Sequence, residues 1–83
     1  MYDKYLVTGA TGFLGRTVVE ELVHHDAQVR ALVLHNDPYI NLLPKEVHTI
    51  VGDVCDKNSL ADFFADADSR TCVIHCAGIV SVA

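Results

Sequence analysis

Apolar positions along the chain fall into two kinds of run. Lys4 to Thr8 carries a near-continuous stretch (Tyr5, Leu6, Val7) without clean alternation, which suits a parallel strand covered on both faces. From Leu14 to about His24 the period lengthens. Leu14, Val18 and Leu22 recur at i, i+4, i+8, Val19 and Val23 widen the stripe, and Arg16, Glu20 and Glu21 take the other side; this predicts an amphipathic helix. Gln28 to Leu34, with Val29, Leu32 and Val33, reads as a second strand, and the gap before it fits a right-handed βαβ crossover. The polar His35-Asn36-Asp37-Pro38 follows, then a helical turn over Tyr39 to Leu43 ended by Pro44. Val47 to Val51 is a third short strand. Gly52-Asp53-Val54-Cys55-Asp56 breaks the pattern, and Asp56 suits the N-cap of a helix from Lys57 to about Ala65 with Leu60, Phe63 and Phe64 on one face. After the loop Asp66 to Arg70, Thr71 to Cys76 reads as a fourth strand ended by Ala77-Gly78. Strands alternating with helices predict an α/β fold built on a parallel sheet.

Length and composition narrow this picture. The chain has 83 residues, 51% of them hydrophobic. That supports one domain, burying about 60–65% of its unfolded surface. Internal repeats, low-complexity tracts and long Pro/Gly/Ser linkers are absent from the sequence. A formal charge of −5, with six scattered basic residues, argues against a nucleic-acid surface. No apolar run approaches the roughly 18 residues of a membrane span, and Met1-Tyr2-Asp3-Lys4 is no secretory signal. The expectation is therefore a cytoplasmic protein with neither membrane nor nucleic-acid partner. Cys55, Cys72 and Cys76 are odd in number and lack zinc-type spacing, so they read as thiols rather than as a disulfide framework. Cys72 and Cys76 share the parity of Ile74 and fall on one face of a strand. The five histidines do not cluster at ligand spacing, and no metal site is expected.

Between the first strand and the first helix lies Thr8-Gly9-Ala10-Thr11-Gly12-Phe13-Leu14-Gly15. Strand, glycine turn, helix is the order a dinucleotide-phosphate site needs. Glycines let the backbone turn tightly and approach a pyrophosphate, and the helix start then offers unpaired N–H groups and the positive end of its dipole. The spacing is Gly9-x-x-Gly12-x-x-Gly15 rather than G-x-G-x-x-G. Gly15 falls where the helix crosses the first strand, a place for close packing.

These residues resemble the N-terminal half of the extended or atypical short-chain dehydrogenase/reductases, the NAD-dependent epimerase/dehydratase family. Three stretches carry the resemblance: T-G-x-x-G-x-x-G at Thr8 to Gly15, G-D-[LV]-x-D at Gly52 to Asp56, and H-x-A-[AG] at His75 to Gly78. It implies a partial Rossmann-type sheet of four strands, order 3-2-1-4, with two main helices. The first helix and the Leu34–Val47 connection would lie on one face and Lys57–Ala65 on the other. It also implies roles. Gly9, Ala10, Thr11, Gly12 and Gly15 form the pyrophosphate turn, and the amides of Phe13 and Leu14 point at phosphate. The Asp53 carboxylate accepts from the adenine amino group, the Val54 backbone meets the ring edge, and Ala77 and Gly78 line the path to the nicotinamide-side ribose. At the end of the second strand, Val33-Leu34-His35-Asn36 is similar to the family's V-L-D-N with His in place of Asp. His35 can donate to a hydroxyl or to a 2′-phosphate, and Asn36 can bond a ribose, so NAD and NADP both stay open.

The family's proton-transfer pair, a Tyr followed four positions on by a Lys, has no counterpart. Leu6, Gly9 and Leu43 stand four residues after Tyr2, Tyr5 and Tyr39. The chain is thus expected to be the NAD(P)-binding part of an oxidoreductase, epimerase or dehydratase, cut off before the catalytic region and inactive alone. The parent would act on a sugar nucleotide or a similar small carbonyl/hydroxyl substrate; a non-catalytic NAD(P)-binding regulator or scaffold is the alternative. An uncovered fourth strand (Val73, Ile74, Ile79, Val80) leads to the expectation of a marginal chain, a homo-oligomer or an aggregating one.

Overall fold

Four parallel strands form one sheet in the computed structural model, which describes residues 2–76. They are β1 (Lys4–Thr8), β2 (Gln28–Val33), β3 (His48–Val51) and β4 (Thr71–His75), in the order β3-β2-β1-β4. Tyr5 pairs with Val29 and Cys72, and Leu32 with Ile50. Parallel pairing sets all four C-terminal strand ends along one rim, the mouth. The expected parallel sheet and strand order are therefore present, with strand limits within one residue of those read from the pattern.

Alternate residues feed two cores. On one face Val7, Val29, Ala31 and Val33 are buried with Val19 of the helix α1 (Phe13–His24) and with Leu43 and Val47 of the β2–β3 connection. Ile74 of β4 and Cys76 just beyond it pack against the same cluster, while on the opposite face Leu6 and Leu32 close over Phe63. Helix α1 ends in a Schellman turn: Asp26 sits at φ 61°, the Asp26 amide donates to Val23 O, and the Ala27 amide to Leu22 O at 3.0 Å. Its buried stripe runs through Gly15 and Val19 with Leu22 and Val23 partly covered, whereas Leu14 is exposed. The stripe is thus turned from the expected Leu14–Val18–Leu22 line, because the helix comes closest to the sheet at Gly15.

The second helix is a correction. Lys57–Ala65 forms only a 3₁₀ turn, Lys57–Leu60, followed by further turns, so the described residues hold one main helix rather than two. Asp56 does act as the N-cap, accepting from the Asn58 amide at 3.1 Å. Beyond it, Asn58, Ser59 and Asp62 favour local side-chain bonds over helix. The carbonyls of Phe63 and Ala65 are instead taken by Arg30 Nη1 at 2.9 and 3.0 Å. Asp66, at φ 56°, then turns the chain, and its Oδ1 receives Lys4 Nζ at 3.0 Å and Arg30 Nη2 at 3.3 Å. The Lys4 and Arg30 side chains are only 15% and 14% exposed, so the ion pairs cover their apolar stems as well as joining charges. Phe63 is wholly buried as its pattern implied, while Phe64 stacks on it edge to face from the surface.

Along β4 the expected bare edge is partly covered: Ile74 is packed, and Val73 on the Phe63 side is 48% exposed. Ile79 and Val80 lie outside the described residues, as do the candidate site residues Ala77 and Gly78. No helix among the described residues is long and apolar enough to cross a membrane.

Candidate functional site

The glycine turn lies at the mouth, between the end of β1 and the start of α1. Gly9 takes a left-handed φ of 66°, which lets the chain reverse, and the Gly12 amide closes the turn onto Gly9 O at 3.1 Å. Gly12 is the extended N-cap of α1 (φ −74°, ψ 170°). It has no capping side chain, and no acidic residue occupies the first helical turn. The amides of that turn are left for solvent or for an anion. Gly15 explains how the helix gets so close: a Cβ there would stand 1.9 Å from Gly9 O. Ala10 is buried in the α1-side core and anchors the turn from below, while Phe13 and Leu14 carry exposed side chains on the outer surface. Phe13 and Leu14 stand at the first two helical positions, so their backbone amides belong to the open first turn.

Beside the turn opens a cleft of about 150 Å³ lined by Gly9, Thr11, Leu32, Leu34, Asp37, Gly52, Asp53 and Val54. That is about the volume at which an apolar cavity takes a benzene-sized ring. Its walls are mostly aliphatic and its polar groups few, the usual make-up of a site for a flat aromatic ligand. The structure thus brings the first two sequence motifs, Thr8–Gly15 and Gly52–Asp56, together around one cavity.

Asp53 projects from the end of β3. Its Oδ1 accepts from the Cys55 amide at 2.9 Å, an Asx turn that fixes the carboxylate and leaves its second oxygen for a ligand. Across the cleft stands Asp37, which the sequence reading passed over. Its Oδ2 accepts from Thr11 Oγ1 at 2.6 Å and its Oδ1 from the Tyr39 amide at 2.9 Å. A member of the glycine turn thereby holds a carboxylate at the end of the β2 loop. Asp37 lies about 20 residues beyond the last glycine, where an acidic ribose ligand is sought in dinucleotide folds. That distance was the available signal, and the match to V-L-D-N drew attention to His35 instead.

His35 is exposed and lines an adjoining shallow groove with Val51, Asp56 and Ser59 and with Leu34, Gly52 and Asp53, which it shares with the cleft. Asn36 is exposed at φ 61°, in the turn closed by the Asp37 amide onto Leu34 O. Neither residue lines the cleft between Asp37 and Asp53. At the far side of the mouth, His75 Nδ1 and Thr8 Oγ1 are 2.6 Å apart and the Cys76 amide donates to Thr8 O, tying the third motif to the first strand. No group of His, Cys, Asp or Glu able to hold a metal ion occurs among the described residues.

The sequence model of the NAD dependent epimerase/dehydratase family matches residues 5–83. The chain belongs to that family. It is 38% identical over 84 residues to human 3 beta-hydroxysteroid dehydrogenase type 7, covering 94% of this chain and 22% of that protein. Against UDP-glucose 4-epimerase of Neisseria meningitidis serogroup B it is 36% identical over 86 residues, covering 95% and 25%. In structure it resembles isoflavone reductase, with a TM-score of 0.70 at 25% identity over 94% of this chain and 28% of that one. The chain thus spans about a quarter or less of the length of these relatives. The family depends on NAD(P), and the donors found at the mouth fit that group: an anion-ready helix start, a ring-sized cleft and carboxylate acceptors.

Proposed function

We propose that the chain is the NAD-holding part of an oxidoreductase, epimerase or dehydratase acting on a sugar nucleotide or a similar small carbonyl/hydroxyl substrate. The observation that carries this reading is the opposition of the α1 start, brought in by Gly9 and Gly15, to a cleft flanked by Asp37 and Asp53. The first-turn amides of α1 hold the pyrophosphate, and the second oxygen of Asp53 accepts from the adenine amino group. Asp37, kept in place by Thr11 and the Tyr39 amide, accepts from the ribose hydroxyls. When bound, the nicotinamide supplies the hydride acceptor, and the chain's own residues position it.

Asp37 also sets a preference. A 2′-phosphate would place a dianion against a carboxylate whose two oxygens are already anchored, so the site favours NAD over NADP. Titration of the 83-residue chain with NADH and NADPH, followed by nicotinamide fluorescence, tests this. NADH should bind tighter by about tenfold or more, the equivalent of ~1.4 kcal/mol, and Asp37→Asn should narrow the gap. Tighter NADPH binding that is lost in His35→Ala would place the phosphate beside His35 and overturn the assignment.

A further inference from the structure

The segment that presents Asp53 is stiffened by a 3₁₀ turn, by the Asp56 amide, which donates to Asp53 O at 2.9 Å, and by one side-chain hydroxyl. Ser59 Oγ accepts from the Asp53 amide at 2.9 Å and lies 2.8 Å from Asp56 O and 3.1 Å from Asp53 O. With one proton to give, the hydroxyl donates to the nearer carbonyl, Asp56 O, with Asp53 O alongside as a second acceptor. The Asp53 amide is therefore held by the Ser59 hydroxyl, and the Asp53 carbonyl by the Asp56 amide at 2.9 Å. The carboxylate itself is set by the Cys55 amide. The approach that makes this possible depends on Gly52: a Cβ there would stand 2.9 Å from Ser59 O and 2.9 Å from Leu32 Cδ1. At its other end the segment is fastened by buried Phe63 and by Arg30 on the Phe63 and Ala65 carbonyls. The segment is thus pinned at two places, and at the cleft end the Ser59 hydroxyl is what holds the Asp53 amide.

We infer that Ser59 is a positioning residue for cofactor recognition: its hydroxyl holds the Asp53 backbone so that the carboxylate meets the adenine amino group. This rests on the adenine role proposed for Asp53. Ser59 touches no ligand, and its effect passes through Asp53 alone.

The test compares NADH with its hypoxanthine analogue, in which a carbonyl oxygen replaces the adenine amino group. A ratio of the two affinities is insensitive to the fraction of chain folded. The wild-type chain should prefer NADH about tenfold, as one hydrogen bond to a charged acceptor gives. Asp53→Ala should bring the ratio near one. Ser59→Ala should lower it to about threefold or less, and Ser59→Thr, which keeps the hydroxyl, should restore most of it. If Asp53→Ala abolishes the preference while Ser59→Ala leaves it intact, the positioning role is wrong and the adenine role stands. If Asp53→Ala leaves the preference intact, the adenine role falls and the role of Ser59 with it.

Discussion

Gly15 provides the most direct physical test of the site. An alanine Cβ at this position would lie 1.9 Å from Gly9 O, 2.7 Å from Gly9 C and 3.0 Å from Ala10 Cα, all of them backbone atoms that no side-chain rotation relieves. Reaching ordinary contact requires α1 to retreat by roughly 1.5 Å, and a forced shift of this kind in a packed region costs about 1–3 kcal/mol. Because a 1.9 Å approach to backbone lies far below ordinary contact, the upper end of that cost applies; alanine recovers up to about 1 kcal/mol through helix propensity, so Gly15→Ala should lose about 2 kcal/mol net. For a domain of this size that is a fall of about 8–16 °C in the unfolding midpoint. Gly12→Ala is the control. Its Cβ would meet Gly9 O at 3.4 Å, ordinary contact, and its φ and ψ suit any residue. Only the modest preference for glycine over alanine at an N-cap is lost, about 0.5 kcal/mol, whereas under the proposed function a methyl on this turn would crowd the pyrophosphate. Thermal unfolding by circular dichroism with and without NADH separates the two. Gly15→Ala should melt early and bind poorly, whereas Gly12→Ala should melt near wild type and lose the NADH-induced rise. A Gly15→Ala midpoint within about 2 °C of wild type would refute the close approach of helix and turn.

Two further outcomes follow from the charges and thiols. The Asp66 carboxyl is held below its usual 3.8 by its hydrogen bond with Lys4, with Arg30 adding to the effect. A carboxylate whose folded pKa is depressed stabilises the fold above its unfolded pKa and ceases to do so as pH falls through the folded value. The stability advantage of wild type over Asp66→Asn, a replacement that tolerates the left-handed φ, should therefore be present at neutral pH; in urea titrations it should close as the pH is lowered below 3.8. An advantage unchanged in acid would show that the ion pairs contribute nothing. Burial pushes the Cys76 thiol up from its usual value, while Cys55 is exposed in the cleft loop. Iodoacetamide at pH 8 should thus modify Cys55 well before Cys76, as read by peptide mass spectrometry, and the reverse order would contradict the packing of β4.

The strands and α1 were legible because their burial follows a simple period. β1 and β2 are sandwiched between α1 and the Phe63 turn, and continuous apolar runs record that sandwich. The 57–66 segment was misread for a physical reason. Its apolar spacing, with Asp56 in front, satisfies the helix template, but the Ser59 hydroxyl bonds back to Asp56 O, and Arg30, far away in sequence, takes the carbonyls of Phe63 and Ala65. The place of Asp37 at the cleft was not legible because it is set by a bond to Thr11 across 26 positions, whereas His35 stands where a local motif places an acid. The glycine turn could be read in full. Its chemistry is local, and each glycine answers to a neighbour only a few residues away.

The bare start of α1 has one more consequence. Most helices finish their first turn with a serine, threonine or aspartate, and this one has Gly12. Under the proposed function an arriving diphosphate would supply an acceptor to these first-turn amides, so occupancy and local folding would become a single equilibrium, and NADH should slow hydrogen exchange at this turn.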